Sequence, residues 1–382
     1  MPRSSLNVAL MSSQMSWGGG EQLLFSLGDS LLRQGHRILW VAPKESRLME
    51  RIRGAGMEYL EIAGRHPSPV AILKLRKALQ RNEIEILHGN DTHAISWGSM
   101  LAMRQDSMKL FGVKHTVFPI ASAAKYNWLV DRMICVSRAV RDVCLDGGIL
   151  DERLSVVYGG IEPPLLDRYA ERLRACEILG IGIETPLICA VGSLIPCKGY
   201  DTLIEAALEL RKRIGDFRLV ICGDGLMRQQ LQKMIDDRQL NQQVVLLGFC
   251  EDPTAWIASA DVFAHPTRSE GLSLVSIAAQ MVGTPVVASE VGGLREVIRC
   301  QFTSRPLGWI YSTDSPSDLA ELLDSALNDQ KRRRQVINDA HQSAMGHFTL
   351  EQMVSGFLKV YTDSEVDSAQ RNPRRFAGAA QQ

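Results

Sequence analysis

The chain has 382 residues, 45% hydrophobic and 23% charged, which excludes wholesale disorder and, at about 100 to 200 residues per domain, points to two domains. Its 43 basic side chains balance 43 acidic ones, removing any global electrostatic case for nucleic acid as the main partner. Residues 1–160 carry 20 basic and 15 acidic groups against 23 and 28 in the remainder, so the first half has the better claim on an anionic surface.

In chain order, apolar runs mark strands at 7–12 (NVALMS), 37–42 (RILWVA), 84–88 (IEILH), 109–113 (KLFGV), 132–137 (RMICVS) and 154–158 (LSVVY). Five more follow at 186–191 (PLICAV), 217–223 (FRLVICG), 243–248 (QVVLLG), 261–265 (DVFAH) and 284–289 (TPVVAS). Continuous Val/Ile/Leu runs, rather than strict alternation, predict parallel strands covered on both faces. Helical patterns separate them: residues 19–35 place Leu23, Leu24, Leu27, Leu31 and Leu32 on one stripe ending at Gly35, a C-terminal cap signal. The alternation predicts an α/β protein of two doubly wound, Rossmann-like units in series.

Gly159, Gly160, Pro163 and Pro164 interrupt the periodicity, so the domains are expected at 1–160 and 161–363, with the last helix free to pack back on the first domain. Residues 364–382 are polar and aperiodic and read as a disordered tail. The eight cysteines include no CxxC pair, and Cys135, Cys189 and Cys222 fall inside strand patterns, where they behave as small hydrophobes. With no charged leader and no window of 18 apolar residues, a reducing cytoplasm and no membrane span are expected.

Several stretches carry chemistry. In SWGGGEQ (16–22) glycines join the first strand to the first helix. There they admit close backbone approach, and N–H groups favour a phosphate, although the spacing is neither GxGxxG nor a P-loop and a tight turn also explains it. AVGSLIPCKGY (190–200) brings Lys198 to a strand end, placed for a diphosphate or merely solvated. GDG (223–225) and GFCED (248–252) are strand-end loops on the same side, or simple turns. TRSEGLSLV (267–275) sets Glu270 before Gly271, Leu272 and Ser273 at the expected start of an amphipathic helix. Its N–H groups suit a phosphate and the carboxylate suits sugar hydroxyls, while an acid there is also ordinary capping.

Two further stretches lie in the first half. His88, Asp91 and His93 in HGNDTHAISWG (88–98) stand where they could touch an acceptor; a zinc site would need a third ligand that the pattern does not supply. VAILKLRKALQR (70–81) sets Lys74, Lys77 and Arg81 opposite Ile72, Leu75 and Leu79, a basic face for solvent or for anionic lipid.

The order of these pieces carries a resemblance over nearly the whole chain. It runs from GGGE (18–21) through ICVSRAVRD (134–142), VVYGGIEP (156–163), VGSLIPCKG (191–199), ICGDG (221–225), LLGFCEDP (246–253), ADVFAHPTRSEGLSLV (260–275) and GTPVVASEVGGLREVI (283–298). The chain resembles the retaining nucleotide-sugar glycosyltransferases of family 4, the glycosyl transferases group 1, whose GT-B fold has two Rossmann-like domains facing across a cleft.

That resemblance implies donor binding by the second domain and acceptor binding by the first, with His115, Glu270 and Lys198 at the chemistry. Gly18 and Gly19 would approach the donor phosphates and Lys198 would neutralise the diphosphate beside Ser193. Glu270, as first glutamate of an E-x7-E motif, would contact the donor sugar, with backbone N–H groups at Gly271, Leu272 and Ser273 and Phe249 framing the base. It implies no cofactor and no metal, a UDP- or GDP-linked sugar as donor, and a saccharide or lipid-linked acceptor. The implied setting is bacterial cell-surface polysaccharide or lipopolysaccharide assembly in the cytoplasm, with peripheral contact to an anionic membrane. Two departures from the family stand out: Ala278 occupies the second glutamate's position, and in the Lys198 loop Ser193 stands where an arginine often follows the glycine and Cys197 where an acid or base usually precedes the lysine. They leave open a catalytically impaired sugar-nucleotide-binding protein of the same fold.

Overall fold

The computed structural model describes residues 5–63, 68–102, 108–299 and 305–363; the expected tail and Cys300 lie outside them. Two units result, one spanning the chain to Gly160 and resuming at Leu350, the other Ile161–Thr349.

In the first unit, strands and helices alternate: β1 (Asn7–Met11), α1 (Gly19–Arg33), β2 (Arg37–Pro43), α2 (Arg47–Gly54), β3 (Tyr59–Ile62), α3 (Pro69–Arg81) and β4 (Ile86–Gly89). They continue as α4 (Thr92–Ala102), β5 (Lys109–Lys114), α5 (Ala124–Leu129), β6 (Arg132–Cys135), α6 (Arg138–Asp146) and β7 (Leu154–Val156). The strands pair in parallel in the order β3-β2-β1-β4-β5-β6-β7. Val8, Ala9, Leu10 and Met11 of the central β1 are all fully buried, as helices on both faces of a parallel sheet require. Leu23, Leu24, Leu27 and Leu31 form the buried stripe of α1.

The second unit runs α7 (Arg168–Leu179), β8 (Leu187–Val191), α8 (Tyr200–Ile214), β9 (Arg218–Cys222), α9 (Arg228–Asp237), β10 (Val244–Gly248) and α10 (Thr254–Ser259). It goes on through β11 (Val262–His265), α11 (Leu274–Met281), β12 (Val286–Ser289), α12 (Leu294–Ile298), β13 (Trp309–Tyr311), α13 (Pro316–Asn328) and α14 (Gln330–His347). Its parallel sheet has the order β10-β9-β8-β11-β12-β13. Successive strand residues point to opposite faces. Ile188, Ala190, Leu219 and Ile221 therefore join Leu203, Leu231 and Leu323 on one side, and Leu187, Cys189, Val220 and Cys222 join Ala175, Ile257 and Leu294 on the other.

After α14 the chain forms α15 (Leu350–Tyr361), which belongs to the first unit and packs on α1 with Met353, Val354, Phe357, Leu358 and Tyr361 buried. The apolar runs foretold eleven of the thirteen strands among the described residues. β3 and β13 escaped because both are short edge strands, and Tyr59 is exposed. α11 is not amphipathic: from Ser276 to Met281 every residue is buried, because it packs between α10 and α14 as well as beside the sheet.

Candidate functional site

Each sheet changes winding direction at one place, between β1 and β4 in the first unit and between β8 and β11 in the second. The crevice outside the carboxyl ends of such a strand pair is where open parallel sheets accept ligands.

In the second unit Lys198 and Glu270 occupy the loops that follow β8 and β11. The β8 loop is tied to its neighbour by Gly192 N–H donating to the Cys222 carbonyl (3.0 Å) and Leu194 N–H to that of Asp224 (2.9 Å). It then makes a 3-10 turn, Pro196–Lys198. Gly199 ends that turn at φ +67°, and a Cβ there would lie 2.1 Å from the Pro266 carbonyl oxygen, so only glycine lets the two loops close on each other. Arg268 clamps them: its guanidinium donates to both Asp201 carboxylate oxygens at 2.9 Å, to Asp314 at 2.6 Å and to the Pro196 carbonyl at 2.6 Å.

Held in this way, Lys198 Nζ lies 2.6 Å from Glu270 Oε2, with the two side chains 21% and 16% exposed. His265 Nε2 approaches the same oxygen at 3.3 Å, and His265 Nδ1 lies 3.1 Å from the hydroxyls of both Ser273 and Ser276. Burial pushes the Glu270 carboxyl up, but the His265 hydrogen bond and the Lys198 charge outweigh it and hold the group down at about 2. Burial also lowers His265, against the pull of Glu270, so the ring is neutral near pH 7. Nε2–H then donates to the carboxylate and Nδ1 accepts from serine. The result is a carboxylate kept ionised in a largely buried place, with an ammonium beside it, suited to sugar hydroxyls and to a diphosphate respectively.

Glu270 stands four residues ahead of α11 rather than on its first turn. The cap is Ser273, whose Oγ accepts from Ser276 N–H, so Glu270 is not a capping acid. Gly271, Leu272 and Ser273 are buried in the approach to that helix, and Ser193 is exposed on the β8 loop. Phe249, just after β10, is 68% exposed. Ala278 sits in the apolar cluster with Cys189, Phe263 and Ala288.

In the first unit, Gly18 is the extended N-cap of the 15-residue α1 and Gly19 its first residue, both exposed. A Cβ on Gly20 would lie 3.4 Å from the His115 ring, so His115 stands against this helix start. Its Nε2 lies 2.9 Å from Asn90 Oδ1, and Asn90 Nδ2 donates to the Gly20 carbonyl at 3.1 Å. The amide is thereby oriented with its oxygen towards His115, so Nε2 carries the proton and Nδ1 the lone pair. Burial lowers His115 to about 4, with Asp91 opposing and Lys114 assisting. Glu21, buried and accepting from Ser12 Oγ at 3.2 Å, is pushed up to about 7, chiefly by burial and further by Asp91.

Two sequence-based readings in this unit change. Asp91 caps α4, accepting from His93 N–H, Ala94 N–H, Ser13 N–H and Ser13 Oγ. His88 is a buried core residue 2.5 Å from the Tyr361 hydroxyl, so it touches no acceptor. Among the described residues no three His, Cys, Asp or Glu side chains are grouped to hold a metal ion. On α3, Leu75 and Leu79 are buried while Val70, Leu73, Lys74, Lys77 and Arg81 are exposed.

Sequence reasoning passed over His265, Arg268, Asn90 and Tyr361. Only His265 carried a signal, its place at a strand end five residues before Glu270.

The sequence model of the glycosyl transferases group 1 matches residues 175–343, and that of glycosyltransferase family 4 matches residues 17–164. A GDP-mannose-dependent alpha-(1-6)-phosphatidylinositol monomannoside mannosyltransferase of Mycolicibacterium smegmatis is 28% identical over 74% of this chain and 79% of its own. A D-inositol 3-phosphate glycosyltransferase of Jonesia denitrificans is 32% identical over 56% and 52%. The chain spans from about two fifths to four fifths of the length of the curated relatives it matches. Among solved structures, the Anabaena protein HepE in complex with UDP and glucose superposes with a TM-score of 0.83 at 17% identity, over 94% of this chain and 100% of that one; the likeness shows a shared fold.

Proposed function

The chain belongs to the group 1, family 4 type of glycosyltransferases with a GT-B fold, and from that premise we propose that it moves a sugar from a nucleoside-diphosphate sugar to a saccharide or lipid-linked acceptor, with retention of configuration. The observation that carries the reading is the Lys198–Glu270–His265 arrangement at the β8–β11 crevice. Lys198 would meet the diphosphate and stabilise its growing charge as the glycosidic bond breaks, without a metal. Glu270 would hold sugar hydroxyls, with the N–H groups of Gly271, Leu272 and Ser273 near the leaving group and Phe249 against the base. Gly18 and Gly19 would approach the phosphates from α1, and His115, neutral and with its Nδ1 lone pair unprotonated, would sit near the reacting centre.

The donor class is UDP- or GDP-linked, since HepE is solved with UDP-glucose and the Mycolicibacterium relative is named for GDP-mannose. Cell-surface polysaccharide or lipopolysaccharide assembly is the proposed setting, on the cytoplasmic side of a membrane. The α3 face, with exposed Val70 and Leu73 beside Lys74, Lys77 and Arg81, supports peripheral contact with anionic lipid. No helix among the described residues is long and apolar enough to cross a membrane.

A second reading, a sugar-nucleotide-binding protein with impaired turnover, is favoured by the apolar setting of Ala278 and the absence of a cation at Ser193. Calorimetry with UDP, GDP, ADP, CMP and their common sugar conjugates tests both. Selective binding of one conjugate, weakened by Lys198→Ala and Glu270→Ala, supports donor recognition, and sugar transfer or slow donor hydrolysis then separates enzyme from binder. No binding by folded protein overturns both.

A further inference from the structure

At the carboxyl ends of β4 and β5 stand two cations that the donor reading leaves unused. Lys114 ends β5 in register with Cys135 of β6, and Cys135 Sγ lies 3.7 Å from Cys144 Sγ on α6. Registered residues of parallel strands point to one face, so Lys114 projects to the side that α6 covers. There its Nζ donates to the exposed Thr116 hydroxyl at 2.9 Å. Tyr126 and Lys114 each interact with Cys144, and Lys125 Nζ stands 4.8 Å from the centre of the Tyr126 ring, which brings Lys125 of α5 to that side too. Lys125 Nζ donates to Ser96 Oγ at 3.0 Å and to the Thr92 carbonyl at 3.4 Å, both on α4.

Neither ammonium has a carboxylate within ion-pair distance among the described residues, whereas Lys198 lies 2.6 Å from Glu270. The acid that acts on Lys125 is Asp91, and its oxygens are committed to Ser13 N–H, Ser13 Oγ, His93 N–H and Ala94 N–H. An ammonium carries three donors, so two remain open on Lys114 and one on Lys125. Burial pulls both lysines down from their ordinary value, as expected of charges taken partly out of water with little of opposite sign to offset the loss.

We infer that Lys114 and Lys125, with the Thr116 hydroxyl, form a site for one phosphate group, and that the acceptor carries this phosphate. A phosphate ester suits the pair better than a carboxylate, since its charge of about −1.5 to −2 near pH 7 matches two ammonium groups and its several oxygens accept from ammonium and hydroxyl donors at once. Lys114 directly precedes His115, which the functional reading sets near the reacting centre, so a group held here belongs to the substrate of the first unit. Giving the phosphate to the acceptor rests on that reading; the anion site by itself does not.

Calorimetric titration of inorganic phosphate into the full chain at low salt tests the site. Binding should weaken about tenfold or more in Lys114→Gln and in Lys125→Gln, fall with added salt, and persist in Lys198→Ala, which strips the ammonium from the β8–β11 crevice. No binding by wild-type protein overturns the site, as does binding that is lost in Lys198→Ala and kept in both glutamine variants. A second measurement needs no variant: inorganic phosphate should slow acetylation of Lys114 and Lys125 by acetic anhydride, read by peptide mass, and lysines left unprotected overturn the site. Competition then separates the sources of the phosphate, with glucose 6-phosphate standing for a soluble phosphosugar and vesicles of equal parts phosphatidylcholine and phosphatidic acid for a lipid. Displacement of inorganic phosphate by either, with glucose and pure phosphatidylcholine inert, supports a phosphorylated acceptor; displacement by neither overturns that role. If the chain proves to be a transferase, Lys125→Gln should raise acceptor KM about tenfold with kcat and donor KM unchanged. Transfer to uncharged acceptors alone, with acceptor KM unmoved in that variant, sinks this inference and leaves the functional reading standing. If the chain transfers nothing, the functional reading fails, while the phosphate titration still decides the anion site.

Discussion

Replacing Lys198 by methionine removes one charge from the β8–β11 crevice while keeping most of the stem. The ammonium lies 2.6 Å from a Glu270 carboxylate that is 16% exposed, and that carboxyl is held at about 2 against an ordinary 4.5 despite burial. This depression corresponds to about 3 kcal/mol favouring the folded state at neutral pH. The His265 hydrogen bond survives the change, so roughly half of that, with a further cost for leaving the carboxylate less compensated, gives a loss of about 2 kcal/mol. A cycle with Glu270→Gln should return a coupling of about 1.5 kcal/mol.

The sign in pH follows from the depressed value. Stability from Glu270 is present above 4.5 and is lost as pH falls through 4.5 towards 2. The gap between wild type and Lys198→Met should therefore be constant from pH 6 to 8 and narrow by about pH 3.5. Urea denaturation followed by circular dichroism, with the slope checked for constancy, reads both quantities. Additivity of the two changes within about 0.5 kcal/mol, or a gap unchanged at low pH, would refute the reasoning.

Other outcomes are equally definite. Glu21, pushed up to about 7, favours the folded state below 4.5 and loses that advantage as pH rises through 7, so Glu21→Gln should match wild type near pH 4. At pH 8 it should be more stable by about 2–3 kcal/mol, read from melting curves at the two pH values. Gly199→Ala combines a positive φ with a 2.1 Å clash on Pro266 and should destabilise by about 3 kcal/mol or more, whereas Gly215→Ala, at φ +79° with nothing within 4 Å, should cost only about 1; comparable losses in denaturant would contradict the loop-closure account. Phe249→Ala should leave the melting temperature unchanged, because the ring is 68% exposed, yet weaken nucleotide binding by calorimetry about tenfold, which is about 1.4 kcal/mol; undiminished affinity would remove Phe249 from the base.

Much was legible without coordinates because it depends on local periodicity. Long Val/Ile/Leu runs specify buried parallel strands, and the Leu23–Leu31 stripe specifies a helix with one covered face. The loops bearing Lys198 and Glu270 were readable because strand ends in doubly wound sheets are where ligands bind. Edge strands escaped this logic: β13 has three residues and β3 exposes Tyr59, so neither builds a pattern long enough to read. The solvent-facing side expected of α11 is missing because a second helix layer covers it, and hydrophobic patterning does not say how many neighbours a helix has.

Pairings between distant residues lay beyond the sequence altogether. The last helix was expected to be free to pack back on the first domain, but the residues it would meet there were not legible; only the folded chain brings Tyr361 to His88, 273 positions away. Likewise His265 and Lys198 meet at one carboxylate oxygen because β8 and β11 are adjacent in the sheet while their starts, Leu187 and Val262, are 75 positions apart in order of synthesis. Periodicity is a property of neighbours along the chain, so the sequence by itself determined the elements and the order of the loops. Charge compensation, tautomers and the burial of His88 depend on separations through space, and those the tertiary structure alone decided.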